Sequence, residues 1–241
     1  MQFQWLALAA FLLVMIADHF IVWPAFSRSV ELDGVRARRA LWARWMLMLW
    51  GASALVLWLW IGGGVPMASV GLAWPTGWRL WAPLGLGAAV IALQVHGAMK
   101  IIRQPERSAQ LREQLGSTAA VLPHLASELP WWFAASVTAG FCEELLFRGF
   151  LVWLLQPMVG IWVAAILSVL VFVLGHAYQG REGMLRTGLL GLIFTAIVLV
   201  TGSLWVAILL HAAIDVMGGL IGWLIQREPP SSIARPAAST P

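Results

Sequence analysis

Glu143 and Glu144 stand side by side in FCEELLFRGF, residues 141–150, and Arg148 follows four positions after Glu144. Almost nothing else polar surrounds them. His176 closes the stretch VFVLGH, and His211 and Asp215 lie four apart in LWVAILLHAAIDVMGGL. A carboxylate within hydrogen-bond reach of water can take its proton as the oxygen attacks a carbonyl. A nearby imidazole can hold the same water or protonate a leaving amine. The tetrahedral intermediate then needs a donor for its oxyanion. Glu143, His176 and His211 could supply these parts. Two histidines with carboxylates also make a zinc set with one position left for water. The spacing is not that of HExxH, so zinc has no local motif behind it.

Glu144 and Arg148 fall on one stripe of a helix, one turn apart, and can neutralise each other. Glu143 points about 100° away from Glu144 around the axis, so Arg148 cannot easily serve both. Glu143 needs another partner, a proton or water. Each group has a bland reading. A buried ion pair can simply fix helix packing, a lone histidine near a span end is usually packed or interfacial, and His211 and Asp215 can bond to each other. Together, however, three apolar segments each bring a protonatable group inward, and a shared polar site accounts for all of them at once. Asp18, His19, His96 and His124 are weaker candidates. Cys142 lies on a different side of the helix from Glu143 and reads as a small packing residue.

The elements that must carry these residues are membrane helices. Of the 241 residues, 61% are hydrophobic and only 11% are charged, whereas a soluble domain carries about a quarter charged. Apolar runs long enough to span occur at 3–24, 42–62, 80–99, 131–153, 159–178, 186–202 and 204–225. They are continuous rather than alternating, which points to helices and not to a barrel. The expected fold is all-α, a polytopic membrane helical bundle of about seven transmembrane helices. The first run lacks a basic flank and reads as a span, not as a cleavable signal. A polar segment between the third and fourth runs holds a candidate surface helix from Pro105 to Leu115. This segment closes an N-terminal membrane region at 1–124, and the Pro-, Ser- and Ala-rich tail at 226–241 reads as disordered. The formal charge of +4 is no nucleic-acid signal, because the basic residues cluster in alternate loops. Arg28, Arg36, Arg38 and Arg39 form one cluster. Lys100, Arg103, Arg107 and Arg112 form the next, followed by Arg181 with Arg186 and by Arg227 with Arg235. The positive-inside rule places these loops in the cytoplasm, the N-terminus outside and the C-terminus inside. A single cysteine excludes an internal disulfide.

Three of these stretches together resemble the CPBP intramembrane proteases, the CAAX-protease and bacteriocin-processing family also called Abi. EELLFR matches the family's EExxxR motif, FVLGH its FxxxH motif and HAAID its HxxxN/D motif, in the family's order over roughly residues 125–225. The resemblance implies a membrane-embedded endopeptidase, in the setting of a bacterial inner membrane, acting on a membrane-associated protein or peptide. Prenylated CAAX proteins and bacteriocin-type leader peptides are among the family's substrates. It implies that Glu143 and His176 activate water, that Glu144 and Arg148 organise the site, and that His211 binds the oxyanion. Asp215 stands where some members have asparagine. An ionised aspartate would repel an oxyanion, so it is protonated, or orients His211, or helps hold a metal. No cofactor is required on this reading, with zinc as the alternative. The rival class is a scaffold or a proton-coupled carrier using the same buried groups. Counted from the span edges, His176 lies near the cytoplasmic side, His211 nearer the outer side and Glu143 in mid-span. That count leaves an axial gap between the two histidines.

Overall fold

The computed structural model describes residues 2–226; the tail 227–241, with Arg227 and Arg235, lies outside the described residues. With no water in a bilayer core, each crossing segment must bond its own backbone, and the apolar runs do so as helices. The first crossing is α1, Gln2–Ala17, continued through a π-helical turn, Asp18–Val22, into α2, Trp23–Leu32. Asp33 then caps α3, Gly34–Gly62, by accepting from the Arg36 backbone N–H at 3.1 Å. After a connecting segment come α4, Trp78–Ile102, and the short α5, Pro105–Gln114, where the sequence predicts a helix. The motif-bearing region follows as α6, Leu129–Glu143, a π-helical segment, Glu144–Leu151, and α7, Val152–Gly175. The chain closes with α8, Gly180–Thr201, and α9, Leu204–Gln226. No strand occurs among the described residues.

Among the described residues six helical stretches are long and apolar enough to cross a membrane, and one of them, Ala126–Gly175, runs for 50 residues. This stretch is a hairpin. Gly160 has φ 78° and ψ 162°, a backbone region open to glycine. Ser168 Oγ donates to the Phe147 carbonyl at 2.7 Å. In a straight helix those residues would be about 30 Å apart, so the chain must turn back between them. The hairpin supplies two legs, and the predicted runs 131–153 and 159–178 fall one on each. Seven apolar legs result.

The expected gap between the histidines is absent, and the reason lies in where α9 begins. Glu143 and His176 are 17 and 16 residues from Gly160 on the two legs. At about 1.5 Å per residue, both lie about 25 Å from the turn. Leu204, the first residue of α9, is fully buried and packs against Gly149, well down the first leg. The segment between α3 and α4 bonds to this recessed start. The Gly71 carbonyl accepts from the Leu204 N–H at 2.7 Å, the Ala73 carbonyl from Ser203 Oγ at 2.7 Å, and the Leu72 carbonyl from Trp205 Nε1 at 2.9 Å. The last helix therefore starts recessed, and seven residues further on His211 reaches the depth of Glu143. The span-edge count had placed α9's start at the outer surface.

α6 is central and packs most extensively against α9 and then α3. A Cβ added at Gly140 would stand 2.7 Å from the Ala212 backbone nitrogen, so glycine there lets α6 and α9 touch beside His211. The turns at the opposite end from Gly160 meet one another. Arg39 Nη2 donates to the Ser127 carbonyl at 3.0 Å, and Ser117 Oγ to the Tyr178 carbonyl at 2.8 Å. That end gathers the basic stretches around Arg36, Arg39 and Arg181.

The start of α6 is held by a pair that sequence inspection did not single out. Arg38 donates to Glu128 through Nε at 2.8 Å and Nη2 at 3.1 Å. Glu128 Oε2 also accepts from the backbone N–H groups of His124, at 3.0 Å, and Leu125, at 2.9 Å. Both side chains are buried. Removing one partner of such a pair strands the other charge, at a cost of about 3–5 kcal/mol. Glu128→Ala should lower the unfolding midpoint of the detergent-purified protein by a corresponding amount. Glu182→Ala, which breaks the exposed pair with Arg186, should leave the midpoint unchanged.

Candidate active site

The three motif stretches converge at one depth. Glu143 ends α6 and Glu144 opens the π-helical segment, so the neighbouring carboxylates leave the helix in different directions. The sequence predicts a plain α-helical turn there. The structure instead has a π-helical segment over all of Glu144–Leu151, a feature that recurs at functional sites. The pairing of Glu144 with Arg148 survives the change.

Glu144 is completely buried and its Oε1 is shared. Arg148 Nη1 donates to it at 3.0 Å, and His211 Nδ1 lies 2.8 Å away. Arg148 is spread over three elements. Its Nη2 donates to the Gly191 carbonyl at 3.2 Å and its Nε to Thr195 Oγ1 at 3.4 Å, both on α8. Its guanidinium carbon lies 4.3 Å from the centroid of the Phe172 ring, a cation–π contact with α7. Thr195 Oγ1 in turn donates to the Gly191 carbonyl at 2.7 Å. Every nitrogen of the fork thus has a partner. A Cβ at Gly191 would meet Arg148 Nη2 at 3.1 Å, so the glycine admits the guanidinium.

His211 stacks on Phe194, with ring centroids 5.1 Å apart and planes at 17°. With Nδ1 against Glu144, its Nε2 faces Glu143 Oε2 at 3.8 Å and Asp215 Oδ2 at 3.5 Å. The contact with Asp215 through Nε2 is longer than the contact with Glu144 through Nδ1. Asp215 is the most open member of the group, its side chain 35% exposed. Its backbone carbonyl accepts from Trp132 Nε1 at 2.8 Å, which ties α9 to α6 beside the site.

His176 caps the end of α7. Its Nδ1 is 2.8 Å from the Phe172 carbonyl. A carbonyl only accepts, so Nδ1 carries the hydrogen, and Nε2 of a neutral ring presents its lone pair. That nitrogen faces Glu143 Oε2 at 3.9 Å. Glu143 Oε2 is thus almost equidistant from two imidazole nitrogens. Both separations are too long for direct hydrogen bonds, and the oxygen is buried without a hydrogen-bonding partner.

All six residues singled out from the sequence lie in this cluster. The weaker candidates do not join it directly. Asp18 accepts from Trp45 Nε1 at 3.0 Å, His124 lies against the Ala119 carbonyl at 2.9 Å, and Cys142 is buried in the core. Phe172 opens the FxxxH match, whereas Gly191, Thr195 and Phe194, which also hold Arg148 and His211, were not foreseen. Glycine, threonine and phenylalanine are ordinary in membrane helices and gave no signal. Zinc requires donors about 2.0–2.2 Å from the ion. Among the described residues no group of three or more His, Cys, Asp or Glu side chains converges so closely.

What this arrangement offers chemically is a carboxylate oxygen with two imidazoles around it, backed by a second carboxylate locked between a guanidinium and an imidazole. Residues 125–217 match the family model described as type II CAAX prenyl endopeptidase Rce1-like. The match spans all three motifs and the whole cluster. No curated protein and no solved structure matches the chain.

Proposed function

We propose, from the match of residues 125–217 to the type II CAAX prenyl endopeptidase Rce1-like family model, that this integral membrane protein hydrolyses a peptide bond near the end of a membrane-associated, prenylated protein or peptide. The observation that carries the mechanism is Glu143 Oε2, set 3.9 Å from His176 Nε2 and 3.8 Å from His211 Nε2 with no hydrogen bond of its own. A water bonded to Glu143 and to one of these nitrogens suits such spacings, since a general base acts directly or through close contact with the water it deprotonates.

On this reading Glu143 takes a proton from water as its oxygen attacks the scissile carbonyl carbon. His176, fixed by its Nδ1–H bond to Phe172, holds the water through Nε2. The carbonyl π pair moves onto oxygen, and His211, protonated at Nε2, donates to the oxyanion. Collapse of the intermediate expels the amine, which takes the proton held by Glu143. One water and one peptide bond become a carboxylic acid and an amine. Glu144 acts on His211 and not on substrate: its Oε1 contact with Nδ1 turns Nε2 towards the reacting centre. Arg148 keeps Glu144 in place. Asp215 adds a second carboxylate facing Nε2 and helps keep a proton there.

Glu143→Gln retains shape and loses the base. It should lower cleavage of a farnesylated CAAX peptide by at least about a thousandfold, the upper part of the range for a lost catalytic group. His176→Ala should cost a similar factor, and the double variant little more than either alone, because the two act on one water. Cleavage at the wild-type rate by purified Glu143→Gln would defeat the assignment. A scaffold or carrier role, which the family match does not favour, predicts no cleavage by the wild type at all.

Asp215 separates the remaining mechanisms. Read as a charged partner of His211, its replacement in Asp215→Asn should lower kcat about tenfold or more, with no further change on adding a chelator. Undiminished activity in Asp215→Asn would mean that the residue serves only as a hydrogen-bond donor. Loss of wild-type activity to the chelator would establish a metalloenzyme.

The basic loops also carry the orientation. With Arg36, Arg39, Arg103 and Arg181 in the cytoplasm, the N-terminus is outside and the end of α9 inside. Reporter fusions after residues 112 and 226 should both register as cytoplasmic, and an outside signal at either would reverse the assignment. The catalytic depth then opens closer to the cytoplasmic face, where a prenylated protein tail would approach.

A further inference from the structure

A tetrahedral intermediate is usually met by more than one donor, and the cluster around Glu143 has few to spare. The three guanidinium nitrogens of Arg148 are committed to Glu144, Gly191 and Thr195. Trp132 Nε1 is committed to the Asp215 carbonyl and Trp45 Nε1 to Asp18. His176 Nδ1 is used on Phe172, and His211 Nδ1 faces Glu144. Among these groups only His211 Nε2 remains. Asp215, at the position where some relatives of the motif carry asparagine, is acceptor-only when ionised.

One O–H group beside the cluster has its hydrogen uncommitted. Tyr178, the only tyrosine in the chain, lies two residues past His176, and the two rings are 6.1 Å apart. Its hydroxyl accepts from Gln179 Nε2 at 3.4 Å, a weak bond that leaves the O–H free to donate. The ring is also fixed. Trp23 packs on it at 4.9 Å and Trp45 at 5.5 Å, and the Tyr178 carbonyl is held by Ser117. A donor that is already positioned needs no reorganisation when charge develops, which is what makes such groups effective.

We infer that the Tyr178 hydroxyl is a second oxyanion donor, a catalytic residue that binds the developing alkoxide opposite His211 Nε2. The inference rests on the endopeptidase reading. No covalent bond is made to the phenol and its proton is not transferred; it contributes one hydrogen bond that strengthens as the carbonyl oxygen gains charge. Because the ground-state carbonyl gains less from it, the contribution appears in kcat rather than in KM.

Tyr178→Phe removes the O–H and keeps the ring between Trp23 and Trp45. Steady-state hydrolysis of a farnesylated CAAX peptide in detergent micelles should show kcat lower by about 100-fold or more, the usual effect of one lost oxyanion donor, with KM changed less than about twofold. The unfolding midpoint should match the wild type. A peptide phosphinate, which mimics the charged tetrahedral state, should bind the variant more weakly by a similar factor. Wild-type kcat in Tyr178→Phe, alongside an inactive Glu143→Gln, would overturn this inference and leave the endopeptidase reading standing. A lowered kcat accompanied by a lowered midpoint and unchanged phosphinate binding would assign Tyr178 to structure and also overturn it. Absence of hydrolysis by the wild type would remove both.

Discussion

The bundle is organised around the need to keep Glu144 neutralised where no water can do so. An isolated ion at that depth is costly, and one Coulombic partner seldom offsets the desolvation of two charges unless further hydrogen bonds are made. Here they are made. Arg148 and His211 both meet Oε1 of the carboxylate, and Arg148 hands its remaining N–H groups to Gly191 and Thr195. The π-helical segment, α8 and α9 are therefore joined through polar contacts, and α7 joins through Phe172. In lipid, apolar packing alone does little to choose among helix arrangements, because tails are as apolar as leucine. A polar knot with directional partners does choose. The same knot orients His211, so the interaction that specifies the fold also aims a functional group.

Depth is the second constraint. Three helices from distant parts of the chain must present Glu143, His176 and His211 at one level. The hairpin does this for the first two almost by symmetry about Gly160. For the third, the start of α9 is drawn inward by Gly71, Leu72 and Ala73, whose carbonyls accept from Leu204, Trp205 and Ser203. Irregular backbone at membrane depth is tolerated where protein buries it and satisfies its polar groups. The segment between α3 and α4 thus sets the register of the last helix, although it carries no residue of the cluster.

The site was largely legible in the sequence, and the reason is energetic. Glutamate, arginine and histidine stand out in apolar runs because each is expensive there, so EELLFR, FVLGH and HAAID mark themselves. The helical fold was legible for a related reason: only a helix closes its own backbone bonds in lipid. What was not legible depends on three-dimensional neighbours. Thr195 and Gly191 are unremarkable in an apolar helix and matter only because Arg148 reaches them. Arg38 looked like one of several loop arginines until Glu128, ninety residues on, was found bonded to it. The recessed start of α9 could not be counted from an apolar run, because hydropathy records length and not the level at which a helix begins.

The first three crossings carry no motif, yet the cluster is not independent of them. Trp23 and Trp45 come from α2 and α3 and pack on the turn that follows His176. Asp18 anchors Trp45 from the π-helical turn of the first crossing. Arg38, at the start of α3, holds the carboxylate that opens α6. Each contact falls at the same end of the bundle, within a few residues of His176 or at the base of the helix that ends in Glu143. If only the matched region mattered, α1–α3 could be any apolar partner. The aromatic and ionic contacts are directional, however, and they bear on the two segments that flank Glu143 and His176. The N-terminal crossings are thus part of what holds Glu143 and His176 at their spacing, and the functional unit is larger than the stretch that carries the motifs.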